Sequence, residues 1–123
     1  MQTTHPNPSL RLNIIGTGKG LPSRLVPSTE IDALLGIKEG RTEKLSGLAQ
    51  RYFLADDESA DAMQLQAAKN ALAAAGITID DVDCVINASG IDRQCIPFNA
   101  AHTLRLLKPA RPIAAFDVNM TCL

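Results

Sequence analysis

Aromatic side chains are scarce in this sequence, and tryptophan is absent. The 123 residues include three phenylalanines and one tyrosine. Because single-stranded nucleic acids bind proteins largely by stacking their bases on aromatic rings, this scarcity disfavours such a site.

An excess of positive charge is also missing, since 12 basic and 13 acidic residues give a net charge of -1. The sequence therefore offers no basic face for a phosphate backbone, and we expect no nucleic-acid partner.

Long apolar runs are absent as well. No run approaches the roughly 20 residues that a membrane-spanning helix needs, so we expect no contact with a membrane. The first ten residues, "MQTTHPNPSL", lack the basic region and the apolar stretch of a secretory signal. We therefore expect a cytoplasmic protein with a flexible tail over residues 1–9.

Cysteine and histidine occur without the spacing of a metal site or a disulfide framework. The three cysteines, Cys84, Cys95 and Cys122, are an odd number and form no C-x-x-C pair. His5 and His102 have no further ligand at metal-binding spacing. We expect no metal, and a surface or packing role for both histidines.

The remaining pattern predicts an α/β fold. Apolar residues make up 46% of the chain, which is enough for a packed core. Ser28 or Thr29 is expected to cap the first helix, and Gly36 and Gly76 are expected to end the first two helices. The order of strand, helix, helix, strand, helix and strand favours parallel pairing with right-handed crossovers. The predicted strands cover residues 10–16, 84–89 and 113–118, and the predicted helices cover residues 30–35, 59–75 and 99–107, with irregular chain between residues 37 and 58.

The segment "GTGKG" after the first predicted strand raises the question of a phosphate site. A Walker loop requires G-x-x-x-x-G-K-[ST], and a dinucleotide fingerprint requires G-x-G-x-x-G opening directly into a helix. Neither pattern is met, because Pro22 and Pro27 delay the helix. The segment is therefore predicted to be a turn, and a nucleotide-binding domain is kept as the weaker alternative.

Cys122 differs from the other two cysteines in its position. Cys84 opens an apolar strand and is expected to be a small buried side chain, whereas Cys95 lies in a loop. Cys122 follows the third predicted strand, where an α/β chain commonly turns into a helix. The positive end of a helix dipole would lower the pKa of a thiol there and favour the thiolate. Position alone leaves a nucleophilic and a structural role equally open.

Four stretches taken together resemble a known family. They are "IIGTGKGLPSRLVPSTEID", "AAKNALAAAGITIDDVDCVINAS", "IPFNAAHTLRLL" and "AAFDVNMTCL". In this order and spacing they resemble the amino-terminal part of β-ketoacyl-acyl-carrier-protein synthase III and its thiolase-like relatives. The resemblance implies a thiolase-like layered α/β fold of two similar halves. Residues 10–123 would supply about three mainly parallel strands of the first half, with covering helices, and would be incomplete at the carboxyl end.

The resemblance also implies a reaction. The family's nucleophile matches Cys122, which would take an acyl group from an acyl-CoA or acyl-carrier-protein thioester without a bound cofactor. A malonyl group on acyl carrier protein would then lose CO2 and attack the acyl-cysteine in a Claisen condensation. The family's catalytic histidine and asparagine have no matching positions here, and His102 and Asn119 do not replace them. The remaining part of the fold, or a complementary chain, would therefore complete the enzyme, which is expected to be a homodimer.

Three departures from the family concern the substrate. Arg41 stands where members that use coenzyme A often place a tryptophan, so the usual platform for adenine is missing. Ile96 matches a residue that forms a wall of the acyl pocket and is contributed across the dimer, and Leu123 replaces a smaller residue after the nucleophile. These departures leave the acyl donor open between coenzyme A and carrier protein. A non-catalytic thiolase-like subunit that shapes a partner enzyme is the alternative function.

Overall fold

A computed structural model describes residues 12–89 and 96–118. Within these residues the strands form two separate two-stranded sheets. No helix in the described ranges combines the length and the apolar character needed to cross a bilayer. In chain order the elements are β1 (Arg24–Pro27), α1 (Ser28–Leu35), α2 (Arg41–Ser46), β2 (Gln50–Phe53), α3 (Ala60–Ala75), a 3-10 helix (Ile79–Asp81), β3 (Cys84–Asn87), α4 (Asn99–Leu107) and β4 (Ala114–Asp117).

The strands β3 and β4 pair in parallel, as the sequence predicts. Their register runs from Cys84 opposite Ala114 to Asn87 opposite Asp117. Helix α4 lies between them in the chain and packs against both strands, as expected of a crossover helix. The opposite face of this sheet is open, and the side chains of Ile86 and Phe116 lie there. Cys84 points to the same face and is exposed, so its predicted burial is wrong.

The long helix α3 confirms the sequence prediction at both ends. The Ser59 side chain accepts a hydrogen bond of 3.1 Å from the Ala62 backbone, and Gly76 ends the helix in the left-handed region with φ of 68°. Helix α1 also ends as predicted, at Gly36. Its start differs, because Pro27 occupies the cap position and Ser28 donates its hydroxyl to the Leu48 carbonyl.

The first half of the chain contains structure that the sequence pattern does not reveal. The strands β1 and β2 pair antiparallel, with Arg24 opposite Phe53, and α2 lies between them in the chain. The sequences of these two strands, RLVP and QRYF, show neither a continuous apolar run nor a clear alternation of apolar and polar residues. The prediction of irregular chain over residues 37–58 is therefore wrong for α2 and β2.

The predicted strand over residues 10–16 is also not confirmed, since its described part, residues 12–16, forms no strand. Leu12 and Ile14 in this segment are exposed rather than buried. The next residues run along α3, where Asn70 donates its side-chain amide to the Lys19 carbonyl at 2.9 Å. Contact with the helix therefore takes the place of strand pairing in this part of the chain.

The glycines of "GTGKG" allow this segment to lie directly on the backbone of α3. A Cβ atom added at Gly16 would lie 2.6 Å from the Ala71 carbonyl oxygen, and one added at Gly18 would lie 2.2 Å from that of Ala67. Two residues of extended chain span about 6.6 Å, and four residues of helix span about 6.0 Å, so the two spacings match. The glycines therefore serve helix packing, and no helix opens directly after them to receive a phosphate.

We predict that Gly18→Ala lowers the free energy of unfolding by about 1–3 kcal/mol, because the added methyl group must displace the backbone of α3. Denaturant titration of the variant and the wild type measures the difference. Lys19→Ala is the matched control, since the Lys19 side chain is exposed and its carbonyl remains in place. An unchanged midpoint for Gly18→Ala would contradict the close packing.

Candidate functional site

The predicted nucleophile, Cys122, lies outside the described residues, but the strand that leads to it is described. Strand β4 ends at Asp117, five residues before Cys122. The backbone N–H of Val118 donates to the Asn87 carbonyl at 2.8 Å and extends the parallel ladder by one residue. Because the carboxyl ends of parallel strands meet at one edge of a sheet, the chain leaves β4 toward Cys122 at the same edge where β3 ends.

The Asp117 carboxylate connects this edge to the start of α4. Its Oδ2 accepts a hydrogen bond of 2.8 Å from the Asn99 backbone N–H, and its Oδ1 accepts one of 2.7 Å from the Ala100 backbone N–H. Asn99 and Ala100 are both buried. The cap residue of α4 itself, Phe98, has no side-chain acceptor for these groups. A carboxylate from a neighbouring strand thus caps the helix.

Ile96 lies close in the chain to this contact. It precedes α4 by three residues, joins Pro97 through a cis peptide bond and leaves 89% of its surface exposed. The structure therefore places an exposed aliphatic side chain just before the helix that Asp117 caps. Cys95, the preceding residue, lies outside the described residues.

Arg41 occupies a different part of the structure, at the start of α2. It borders a shallow pocket on this helix, and three of the pocket's side chains are cationic while one is anionic. An anionic group is therefore favoured there over a cationic one. The residues that line the pocket are Lys38, Glu39, Gly40, Arg41, Lys44 and Leu45.

Asp32 on α1 holds the start of α2 through hydrogen bonds. Its side chain is buried and accepts hydrogen bonds from the Gly40 backbone at 2.7 Å, from the Thr42 backbone at 2.9 Å and from the Thr42 hydroxyl. The hydrogen bond from the Thr42 hydroxyl is the main cause that lowers the pKa of Asp32, and the backbone N–H groups lower it further. Arg41 lies between two residues that Asp32 holds, so its backbone is anchored.

Neither aspartate is recognisable as a cap from the sequence, because each acts on an element other than its own. In the sequence, Asp32 is one polar position of a short predicted helix, and Asp117 is the polar end of an apolar strand. A charged residue that closes an otherwise apolar strand, as in "AAFD", is the one signal that could have indicated Asp117. Both residues emerge only when the elements are packed.

His102 has structural partners on α3 and α4. Its Nε2 lies 3.0 Å from a carboxylate oxygen of Asp61, and Arg105 lies 3.3 Å from its Nδ1. The Asp61 contact joins α3 and α4, whereas the Arg105 contact lies within α4, and both agree with the predicted packing role. Over residues 12–89 and 96–118, no three His, Cys, Asp or Glu side chains come together in a way that could hold a metal ion.

No family model matches the sequence, but individual proteins do. It is 34% identical over 113 residues to the acetoacetyl CoA synthase NphT7 of Streptomyces sp. (strain CL190), which covers 92% of this chain and 34% of the relative. It is 35% identical over 109 residues to the β-ketoacyl-[acyl-carrier-protein] synthase III of Granulibacter bethesdensis, which covers 89% of this chain and 34% of the relative. The chain thus spans about a third of the length of these curated relatives.

Solved structures of related enzymes are also similar to this chain over about a third of their length. The 3-oxoacyl-[acyl-carrier-protein] synthase III from Aquifex aeolicus VF5 matches with a TM-score of 0.70 and 30% identity, over 85% of this chain and 33% of the solved chain. The priming β-ketosynthase of the R1128 polyketide pathway matches in fold with a TM-score of 0.77 and 23% identity, over 90% of this chain and 35% of the solved chain. The described elements therefore form part of a larger fold in these structures.

Acid should destabilise the protein through Asp32. Since its native pKa is lower than the ordinary value of 3.8, its contribution to stability is fully present above about pH 3.8 and is lost as the pH falls through the native pKa. Thr42→Val removes the main cause of this lowering. We predict that the variant has a lower free energy of unfolding than the wild type at pH 7. Between about pH 5 and pH 2, the range over which carboxylates titrate, this free energy should fall less for the variant than for the wild type, as measured by urea unfolding.

Thr29→Val is the control for this prediction, because Thr29 is exposed on α1, the helix that carries Asp32. It should leave the pH dependence of the unfolding free energy unchanged. Equal pH profiles for Thr42→Val and the wild type would show that the Asp32 contact contributes nothing to stability.

Proposed function

We propose that this chain, which has a thiolase-like fold and is homologous to β-ketoacyl-acyl-carrier-protein synthase III over about a third of that enzyme's length, is part of an acyltransferase of that type. The observation that carries the proposal is the 35% identity across 89% of the chain with an enzyme of this name. The transfer of an acyl group to Cys122 is the central step of the proposed activity.

The proposed reaction has two stages. The Cys122 thiol loses a proton, and the thiolate attacks the carbonyl carbon of an acyl thioester to form a new carbon–sulfur bond. The bond to the donor sulfur breaks, and the donor leaves as a thiolate that takes up the proton lost by Cys122. A malonyl thioester then loses CO2, and its carbanion attacks the acyl-cysteine, which forms a carbon–carbon bond and releases Cys122 as thiolate. One side chain serves both stages because a thiolate is a good nucleophile and a good leaving group.

Other parts of the enzyme are needed for the second stage. The enolate that follows decarboxylation requires hydrogen-bond donors, which we assign to a histidine and an asparagine in the remaining part of the fold or in a complementary chain. The open face of the β3–β4 sheet supports the presence of such a remaining part. Ile86 and Phe116 are 57% and 47% exposed there, and apolar side chains of that size are normally covered in a complete fold.

We assign Arg41 to the acyl donor. The cationic side chains around its pocket suit the phosphate groups of coenzyme A or of the phosphopantetheine arm of acyl carrier protein. We assign Ile96 to the wall of the acyl pocket, which its exposed aliphatic side chain supports. Acyl carrier protein as partner, a homodimeric complete enzyme, a cytoplasmic location and a role in fatty-acid or related biosynthesis belong to the same proposal.

Acylation of Cys122 is the direct test. After incubation of the full-length protein that carries this sequence with acetyl-CoA, we predict a mass increase of one acetyl group on the peptide that contains Cys122, detected by mass spectrometry. Cys122→Ser should abolish this adduct, whereas Cys84→Ala should retain it because Cys84 lies at the exposed start of β3. An adduct on another residue, or none with either acetyl-CoA or acetyl-acyl-carrier-protein, would refute the assignment. Full activity of a complex that contains Cys122→Ser would favour the non-catalytic subunit.

The donor pocket is tested by Arg41→Ala. Loss of one charge-assisted hydrogen bond, about 1.4 kcal/mol, corresponds to roughly a tenfold higher acetyl-CoA concentration at half-maximal acylation. Arg24→Ala is the control, since Arg24 pairs with Glu30 in an exposed ion pair at 2.9 Å and does not line the pocket. An unchanged half-saturating concentration for Arg41→Ala would exclude Arg41 from the donor site.

A further inference from the structure

We propose that Asp32 is a positioning residue for the acyl donor, because it holds the Arg41 pocket in the shape that binds the donor's phosphate groups. The inference rests on the proposed function of this pocket. It concerns a chemistry that coenzyme A shares with the phosphopantetheine arm of acyl carrier protein. Asp32 does not itself line the pocket, so it acts through the backbone of the residues that do.

The Arg41 pocket is formed by one short stretch of chain, since its lining residues lie between positions 38 and 45. The Arg41 backbone N–H donates to the Lys38 carbonyl at 3.1 Å and closes a turn. Gly40 is the third residue of this turn, and its φ of 81° and ψ of -1° are those of a type II turn, in which the third position favours glycine. The directions of the Lys38 and Arg41 side chains therefore depend on the conformation of this turn.

Asp32 holds the turn on both sides. Its backbone carbonyl accepts the Ile37 N–H at 3.0 Å, just before the turn begins. Its carboxylate accepts the Gly40 N–H at 2.7 Å and, just after the turn, the Thr42 N–H at 2.9 Å and the Thr42 hydroxyl. Since Asp32 is only 1% exposed, water is poorly placed to replace it as the acceptor of these groups. One residue thus fixes the backbone at three positions between 37 and 42.

The cationic side chains of the pocket have no comparable support of their own. Lys38, Arg41 and Lys44 are exposed, and none of their side chains forms a hydrogen bond or an ion pair with another described residue. Ordering long side chains on a ligand costs conformational entropy, and a backbone that is already fixed keeps the total cost of binding lower. The affinity of the pocket for phosphate groups therefore depends on how firmly Asp32 holds this stretch.

The negative charge of Asp32 acts in the opposite direction, because a carboxylate near the pocket repels an anion. The three donors from Gly40 and Thr42 offset this charge, so the positioning effect should dominate. The sign of the change in affinity on neutralising Asp32 separates the two effects. Weaker binding indicates lost positioning, whereas tighter binding indicates relief of repulsion.

Asp32→Asn tests the inference in the full-length protein that carries this sequence. The amide has one acceptor oxygen and turns a donor toward the remaining N–H or hydroxyl, so contacts are lost with little change in volume. The probes are coenzyme A and acyl carrier protein that carries the phosphopantetheine arm, each titrated by calorimetry. For the probe that binds the wild type more tightly, we expect the dissociation constant to rise about 3–10-fold.

Glu58→Gln is the matched control for Asp32→Asn. Glu58 also accepts two backbone N–H groups, those of Ser23 and Ala55, each at 2.9 Å, and it does not line the Arg41 pocket. We expect its dissociation constant to equal that of the wild type, even where its melting temperature falls.

Thr42 provides a second pair of variants in case Asp32→Asn does not fold. Thr42→Val removes the hydroxyl and keeps the backbone N–H, and we expect it to weaken binding about 2–5-fold. Thr42→Ser is the conservative variant, because it keeps the hydroxyl that Asp32 accepts. Recovery of the wild-type affinity in Thr42→Ser would tie the effect to this hydrogen bond.

A double-mutant cycle with Arg41→Ala separates positioning from a general loss of stability. If Asp32 acts by placing Arg41, then Asp32→Asn should change the affinity by less than about twofold once Arg41 is already alanine. An equal loss of affinity in the presence and in the absence of the Arg41 side chain would overturn the inference.

The same titrations distinguish failure of this inference from failure of the proposed function. If Arg41→Ala weakens binding while folded Asp32→Asn and Thr42→Val bind like the wild type, the role of Asp32 is wrong and the donor pocket stands. Tighter binding by Asp32→Asn has the same meaning. If Arg41→Ala binds like the wild type, or if the wild type binds neither probe, the donor pocket itself is wrong, and the role of Asp32 is refuted with it.

Discussion

The first backbone N–H groups of a buried helix need acceptors that the helix itself cannot supply, and α4 obtains them from Asp117. This single carboxylate joins β4, the last described strand, to the crossover helix α4. It therefore fixes the end of β4 relative to the start of α4. Asp32 does the same for α2, from the neighbouring helix α1. Each of the two regions that we assign to substrate therefore begins at a helix whose first turn is held by a carboxylate from another element.

Close backbone packing provides the second constraint. Glycine at every second position of an extended segment faces the α3 backbone at every fourth position, and the matched rise of the two elements lets them lie in direct contact. Glu58, just before α3, accepts the backbone N–H groups of Ser23 and Ala55 and connects the antiparallel pair of β1 and β2 to the start of the same helix. Helix α3 thus supports both halves of the described chain.

The elements that could be predicted from the sequence are those with a long pattern or a local signal. Helix α3 has sixteen residues, a serine cap and a terminal glycine, and β3, α4 and β4 alternate in the order expected of a parallel unit. The antiparallel pair of β1 and β2 was not predictable, because their sequences, RLVP and QRYF, show neither a continuous apolar run nor a clear alternation. The strand predicted over residues 10–16 was wrong because its described residues lie exposed rather than in a sheet. Whether a pattern is buried depends on tertiary neighbours that a single segment does not specify.

In the candidate site, too, one residue could be predicted from the sequence and another could not. The resemblance of "AAFDVNMTCL" to a known motif predicts that Cys122 is a nucleophile, and Cys122 lies outside the described residues. Asp117 lies in the same motif. Its role as the cap of α4 depends only on hydrogen bonds to residues 17 and 18 positions away. Long-range capping of this kind leaves no periodic signal, so it requires coordinates.

The most direct measurement is a crystal structure of the full-length protein after reaction with an acyl-CoA. The proposed function predicts an acyl group bonded to the Cys122 sulfur and in contact with the Ile96 side chain contributed across the dimer, while the Asp117 carboxylate still accepts the Asn99 and Ala100 N–H groups. An acyl group attached to a different residue, or an Asp117 side chain turned away from α4 in the acylated protein, would contradict it.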